Sequence, residues 1–147
     1  MTTHPIVKTI HVNLDPKAAF DLFTRRISEW WPVESHSVSA GKKEVPNALM
    51  LEAKKGGALV ETGVDGAKHV WGHILEWSPG EAFAMTWHPG KSPDEKTKVH
   101  VQFQSEAAGT QVTLTHSGWE ALENSAGLRA GYNGGWDGVL GRYSAVS

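Results

Sequence analysis

Eight histidines, no cysteine, and sixteen acidic against fourteen basic side chains are the chemical resources of this 147-residue sequence. Without a thiol there is no disulfide, no thiolate metal site and no Cys nucleophile, a usage that suits a reducing compartment and leads us to expect a cytoplasmic location. The serines fall mainly in turns and loops, and no Gly-x-Ser-x-Gly elbow presents one as a nucleophile. Neither a Gly-x-Gly-x-x-Gly turn nor the eight-residue glycine loop that ends in Gly-Lys-Ser/Thr is present, so no nucleotide or other cofactor is expected. His69 and His73 stand four apart, a spacing that chelates one metal from a helix. Their segment reads as a strand, in which four residues span about 13 Å, so no metal site is expected.

His116 is the histidine to consider. It continues the alternation of Val112 and Leu114, which turns its imidazole toward the interior. There it could serve as a polar handle for a ligand, as a general base, or as a core histidine satisfied by the backbone or by Tyr132 or Tyr143. Glu52, Glu61 and Glu120 are the carboxylates available for acid–base work. Glu61 alternates with Leu59 and either faces inward or sits on a solvated rim. No carboxylate pair at a fixed short spacing is legible, and no catalytic residue is assigned.

Aromatic residues give the strongest signal. Seven of the 147 residues are Trp, against six Phe and Tyr together. Such large rings need one another or a ligand to press against. Phe83, Met85, Trp87, Val101, Phe103, Leu114, Tyr132, Trp136 and Leu140, with His116, are the candidate ligand-binding set. Either they line a cavity or they fill it.

These side chains must be positioned by a simple series of elements. Ile6 to Asn13 reads as a strand, and Asp15-Pro16 as the cap and first turn of a helical stretch that Pro32 ends near residue 30. Residues 33–46 form an irregular loop. Strands follow at 48–53, 58–62, 69–77, 82–88, 97–105 and 111–116, separated by Gly, Pro and Asp turns as in an antiparallel meander. Phe83, Met85 and Trp87, then Val99, Val101 and Phe103, then Val112, Leu114 and His116 are the inward faces. Thr86, His88, His100, Gln102, Thr113 and Thr115 read as solvated. The strand 69–77 has two possible faces, one with Trp71 and the other with Ile74, and a one-residue slip exchanges them.

The stretch from about Glu123 to Ala145 reads as the final helix. Leu128, Tyr132, Trp136, Val139, Leu140 and Tyr143 make an apolar stripe, and Gly127, Gly131, Gly134, Gly138 and Gly141 make a second stripe opposite Trp136. The glycines either face solvent or admit another backbone closely. Length argues for one domain over residues 1–147. A net charge of −2 offers no field for a nucleic-acid backbone. No apolar run is long enough to cross a membrane, and the N-terminus lacks a secretory pattern.

Several of these residues together resemble a known family. Asp15-Pro16 before Ala19-Phe20, Trp30-Trp31-Pro32, Glu52 with Gly56-Gly57, Asp65-Gly66, Trp71-Gly72-His73-Ile74-Leu75-Glu76 before Ser78-Pro79, Thr86-Trp87, and Gly135-Trp136 with Leu140 resemble the START/Bet v 1-like (SRPBCC) superfamily. Within it the pattern is similar to the branch related to the C-terminal domain of the Hsp90 ATPase activator Aha1, nearest to the CalC-like subgroup. The resemblance implies an α+β helix-grip fold: a curved antiparallel sheet around a long C-terminal helix, with two short helices after the first strand. It also implies a cavity between sheet and helix for an apolar small molecule. The expected function is therefore non-catalytic binding of an apolar or aromatic small molecule, in a protective or stress-related role. Two alternatives stand beside it: a cyclase- or hydrolase-type enzyme using His116 with a carboxylate, and a protein-interaction module like the chaperone activator. No chaperone-contact motif can be matched, which disfavours the last, and homodimerisation is left open.

Overall fold

The computed structural model describes residues 4–122 and 125–147. Alternating β-branched residues form β1 (Ile6–Val12), and Asp15 accepts the Ala18 N–H at 2.8 Å to cap α1 (Pro16–Phe23). The helical stretch ends earlier than Pro32 alone implied. Thr24 turns its hydroxyl back onto the Phe20 carbonyl (2.7 Å), the Trp30 indole takes the Leu22 carbonyl (2.8 Å), and a single 3₁₀ turn at Ile27–Glu29 replaces the second short helix.

Six further strands follow: β2 (Ala48–Leu51), β3 (Ala58–Thr62), β4 (Lys68–Ser78), β5 (Ala82–Trp87), β6 (Thr97–Glu106) and β7 (Gly109–Ser117). They form one curled antiparallel sheet in the order β1-β7-β6-β5-β4-β3-β2. The long helix α2 (Ser125–Ala145) packs Trp136, Val139, Leu140 and Tyr143 into its concave side. The helix start expected at Glu123 lies outside the described residues. The whole is the helix-grip α+β arrangement.

The three inward faces expected on β5, β6 and β7 are all buried, because each strand keeps a strict period of two against its neighbours. His88 departs from its expected exposure and is buried. It stands one residue past β5, where its N–H reaches the Trp71 carbonyl at 2.6 Å. Strand β4 follows neither alternative: Trp71 and Ile74 are buried and Trp77 half-buried, three residues apart each time. Two irregularities cause this. One lies opposite Leu59/Val60 of β3, the other between Ile74 and Glu76 opposite β5. Each inserts a residue and flips the phase of the strand.

Gly72 lies where β4 comes closest to β5. A Cβ there would sit 1.7 Å from the Thr86 carbonyl oxygen, a contact that no rotamer relieves. The α2 glycines are the opposite case: at Gly127, Gly131, Gly134, Gly138 and Gly141 an added Cβ meets nothing within 4 Å, so no backbone approaches that face.

The inside divides by ring type. Phe20, Phe23, Phe83, Phe103, Trp30 and Tyr143 meet mostly edge-to-face at centroid separations of 4.9–6.4 Å under α1 and the C-terminal half of α2. Trp31, Trp71, Trp87 and Trp136 form a second group with separations of 5.3–5.9 Å. Gly138→Ala should raise stability by about 0.5–1 kcal/mol through helix propensity, whereas Gly72→Ala should lower it by about 3 kcal/mol. Urea unfolding of the two variants beside the parent checks both signs.

Candidate functional site

The Trp group opens outward. A cleft of about 570 Å³ lies between the N-terminal half of α2, the loop 35–41 and the ends of β4 and β5. Trp31, Trp71, Trp87 and Trp136 form its apolar wall with Val38 and Val139, and Gly127, Gly131 and Gly135 lie along its helical side with Leu128 and Tyr132. Those glycines are four apart, one row of the helix surface, so the helix offers backbone rather than side chains there. Gly135, absent from the predicted glycine stripe, belongs to this row, and a Cβ on it would come within 3.8 Å of the His36 ring. Ser35, Ser37, His36 and Lys91 supply polar groups at the margin.

Of the predicted ligand set, Trp87, Tyr132 and Trp136 line the cleft. Phe83 and Met85, with Trp87 and Trp136, border only a void of about 10 Å³ behind it, about one probe sphere and no room for a ligand. Val101, Phe103, Leu114 and Leu140 are packed into the core and border neither space. The open volume is thus bounded by α2, by Trp71 and Trp87 of the sheet and by the irregular loop, while the other rings between sheet and helix are packed against one another.

His116 is fully buried and both ring nitrogens are taken. Nδ1 accepts the Trp136 indole N–H at 3.0 Å, and Nε2 lies 2.6 Å from the Thr97 hydroxyl, which itself lies 3.1 Å from the Trp87 carbonyl. An accepting Nδ1 leaves the proton on Nε2, so Nε2–H donates to Thr97 and Thr97 donates to Trp87. Burial pushes the imidazole pKa down to about 3. The residue is a neutral crosslink between β7, β6 and α2, set behind the Trp136 ring. Its ring packs on Trp119 at 4.3 Å and on Tyr132 at 4.9 Å.

Glu61 faces inward and is fully buried. Its Oε1 accepts the Val38 N–H (2.8 Å) and the Trp71 indole N–H (3.0 Å); its Oε2 accepts the Ser39 N–H (2.8 Å) and hydroxyl (2.5 Å). Burial alone pushes this carboxyl up, but the donors outweigh it and its pKa lies below the ordinary value. The carboxylate therefore ties the cleft loop to the cleft wall. Glu52 and Glu120 are exposed and take no part in the cleft. The loop is held further by the Trp31 indole on the His36 carbonyl (2.6 Å) and by the exposed ion pair of Glu34 with Arg142 of α2.

Among the described residues no three His, Cys, Asp or Glu side chains converge on a metal position, and His69 and His73 lie on β4 away from the cleft. No helix among them is long and apolar enough to cross a membrane.

The family model "Activator of Hsp90 ATPase homolog 1-like protein" matches residues 13–143. Among solved structures, MLL2253 from Mesorhizobium loti is similar with a TM-score of 0.70 at 14% identity, over 97% of this chain and 95% of that one. The Aha1 dimer from Colwellia psychrerythraea is similar with a TM-score of 0.65 at 15% identity, over 98% and 94%. An anthrahydroquino-gamma-pyrone synthase, Txn09, is 33% identical over 80% of this chain and 79% of that one, with a TM-score of 0.57. Comparison with curated proteins returns no significant match.

Glu61→Gln should cost about 3 kcal/mol, because an amide leaves buried donors facing its own N–H groups; urea unfolding reads the loss. His116 has a further signature in pH. Its folded pKa lies below its unfolded one, so the stability it contributes is complete above about pH 6.5 and drains away as the pH falls toward 3. Between pH 6.5 and 5 the unfolding free energy should fall by about 1.4 kcal/mol per pH unit, and His116→Gln should flatten that slope.

Proposed function

This chain belongs to the Activator of Hsp90 ATPase homolog 1-like family, and from that footing we propose that it binds a flat, largely apolar small molecule in the cleft beside α2. One observation carries this reading: a volume of about 570 Å³, walled by indole rings and bordered by a row of glycines, remains open beside a core that is otherwise filled. Its size falls in the range of small-molecule sites, and its mixture of aromatic walls with a few polar groups is what such sites use. Indoles on one side and bare helix backbone on the other favour a thin occupant.

A second reading is favoured by the 33% identity to Txn09, whose name describes a synthase acting on a fused aromatic system. On that reading the same cleft holds a polycyclic substrate while a ring closes. Glu61 and His116 are poor agents for such a step, since every acceptor or donor they own is already engaged. Tyr132, His36 and Lys91, with the hydroxyls of Ser35 and Ser37, are proton-bearing groups that border the cleft. The Colwellia relative is described as a dimer, and the edge strands β1 and β2 are where a second copy of this chain would add to the sheet.

Titrating the protein with fused-ring aromatics should produce a saturable change in Trp fluorescence. Gly131→Leu, which enters open space on an exposed helix position, should weaken that binding at least tenfold while leaving the melting temperature within a few degrees of the parent. A parent that gives no saturable response would overturn the reading. Turnover of a polyketide-like fused-ring precursor, lost in Gly131→Leu, would convert it to the second.

A further inference from the structure

Six tryptophans are buried, and five of them give away their indole N–H. Trp30 donates to the Leu22 carbonyl, Trp31 to the His36 carbonyl, Trp71 to Glu61, Trp119 to the His116 carbonyl and Trp136 to His116 Nδ1, all within 2.6–3.0 Å. Trp87 is the exception. Its ring is 4% exposed, and its Nε1 is buried with no hydrogen-bond partner. A buried donor left unmade is expensive, and interiors rarely tolerate one without a use for it.

The surroundings of this donor point to the use. Trp87 walls the cleft, and so does Tyr132. The Trp87 N–H is directed at the Tyr132 oxygen, near enough to oppose the upward push that burial gives the Tyr132 pKa but outside hydrogen-bond geometry. The indole N–H and the hydroxyl, itself a donor, thus lie side by side on two residues of the cleft wall. Across from the indoles, Gly127, Gly131 and Gly135 leave a flat surface.

We propose that the cleft recognises a conjugated aromatic carbonyl compound, a ketone or quinone, whose oxygen accepts from both the Trp87 indole N–H and the Tyr132 hydroxyl. This rests on the cleft being a small-molecule site and adds the chemical class. The ring system lies between the indoles and the glycine row. A carbonyl oxygen lies in the plane of such a ring system and carries two in-plane lone pairs, so one atom can meet both donors at the wall edge-on without tilting the rings. Binding supplies the acceptor that the Trp87 donor lacks in the free protein.

The test compares fluorene with 9-fluorenone, which share one flat carbon skeleton and differ by the carbonyl oxygen. Equilibrium dialysis on the full chain should show fluorenone bound about 5- to 10-fold more tightly, although it is the less apolar of the two. Tyr132→Phe, which keeps the ring in the wall, should bring the ratio toward one by weakening fluorenone binding more than fluorene binding. The indole ¹⁵N–¹H resonance of Trp87, assigned by its loss in Trp87→Phe, should move downfield with fluorenone and not with fluorene. If Trp87→Phe does not fold, the parent ratio and Tyr132→Phe decide. Equal binding of the two compounds overturns the carbonyl assignment and leaves the cleft as an aromatic site. Absence of binding by either overturns both.

Discussion

A carboxylate with no cation beside it fixes the functional face of this protein. Glu61 is sequestered from water, and among the described residues its charge is stabilised by dipoles: two backbone N–H groups, a hydroxyl and an indole N–H. Four directed hydrogen bonds hold geometry more narrowly than an ion pair, because each must be satisfied at its own angle. What they hold is the relation between the start of the 3₁₀ turn at Ser39–Lys42 and the Trp71 ring on β4. Those two pieces of chain are neighbours in the cleft wall but about thirty residues apart in sequence. Without the anion the loop keeps the Trp31–His36 contact, an exposed ion pair with α2 and the packing of Val33 and Val38 on the core, and loses its hydrogen bonds to Glu61 on β3.

His116 performs the complementary task on the other side of the Trp group. It fixes Trp136 on α2 and, through Thr97, the end of β5 at Trp87. Both polar anchors therefore terminate on cleft-wall tryptophans rather than in the cleft itself. The chemistry of the ionisable residues is spent on orienting rings, and recognition is left to the rings, to the donors at their edges and to the bare backbone opposite. The Phe-rich half is fixed instead by side chains on backbone carbonyls, Tyr143 on Ala19, Trp30 on Leu22 and Thr24 on Phe20, and by edge-to-face packing.

The architecture and three of the buried faces were legible in the sequence because β5, β6 and β7 obey a period of two without interruption. Strand β4 was not, since its buried residues recur every third position and each inserted residue is visible only against a neighbouring strand. The inward turn of His116 followed from its alternation with Leu114. Its role depended on Trp136 and Thr97, twenty and nineteen residues away in the chain, which no local pattern reveals. Glu61 was ambiguous for the same reason, three of its four donors belonging to a loop that carried no periodic signal. That loop also decided where the open volume lies. A reading built on strands and helices put the pocket between sheet and helix, and the open cleft does have α2 and the sheet tryptophans for two of its walls. The one wall made of irregular chain could not be placed from residue types.

The glycine row on α2 has a consequence for how such a protein diversifies. The width of the cleft is set on that side by side chains that are missing, at positions where a new Cβ meets open space or, at Gly135, only ordinary contact with a histidine ring. A change there reshapes the ligand space without disturbing the core, whereas a change on the opposite, indole wall disturbs Glu61 or His116 and the fold with them. Selection acting on a population of such sequences has a neutral direction and a forbidden one. Descendants that keep the tryptophans and vary the glycines can drift between ligands while remaining, in every other respect, the same molecule.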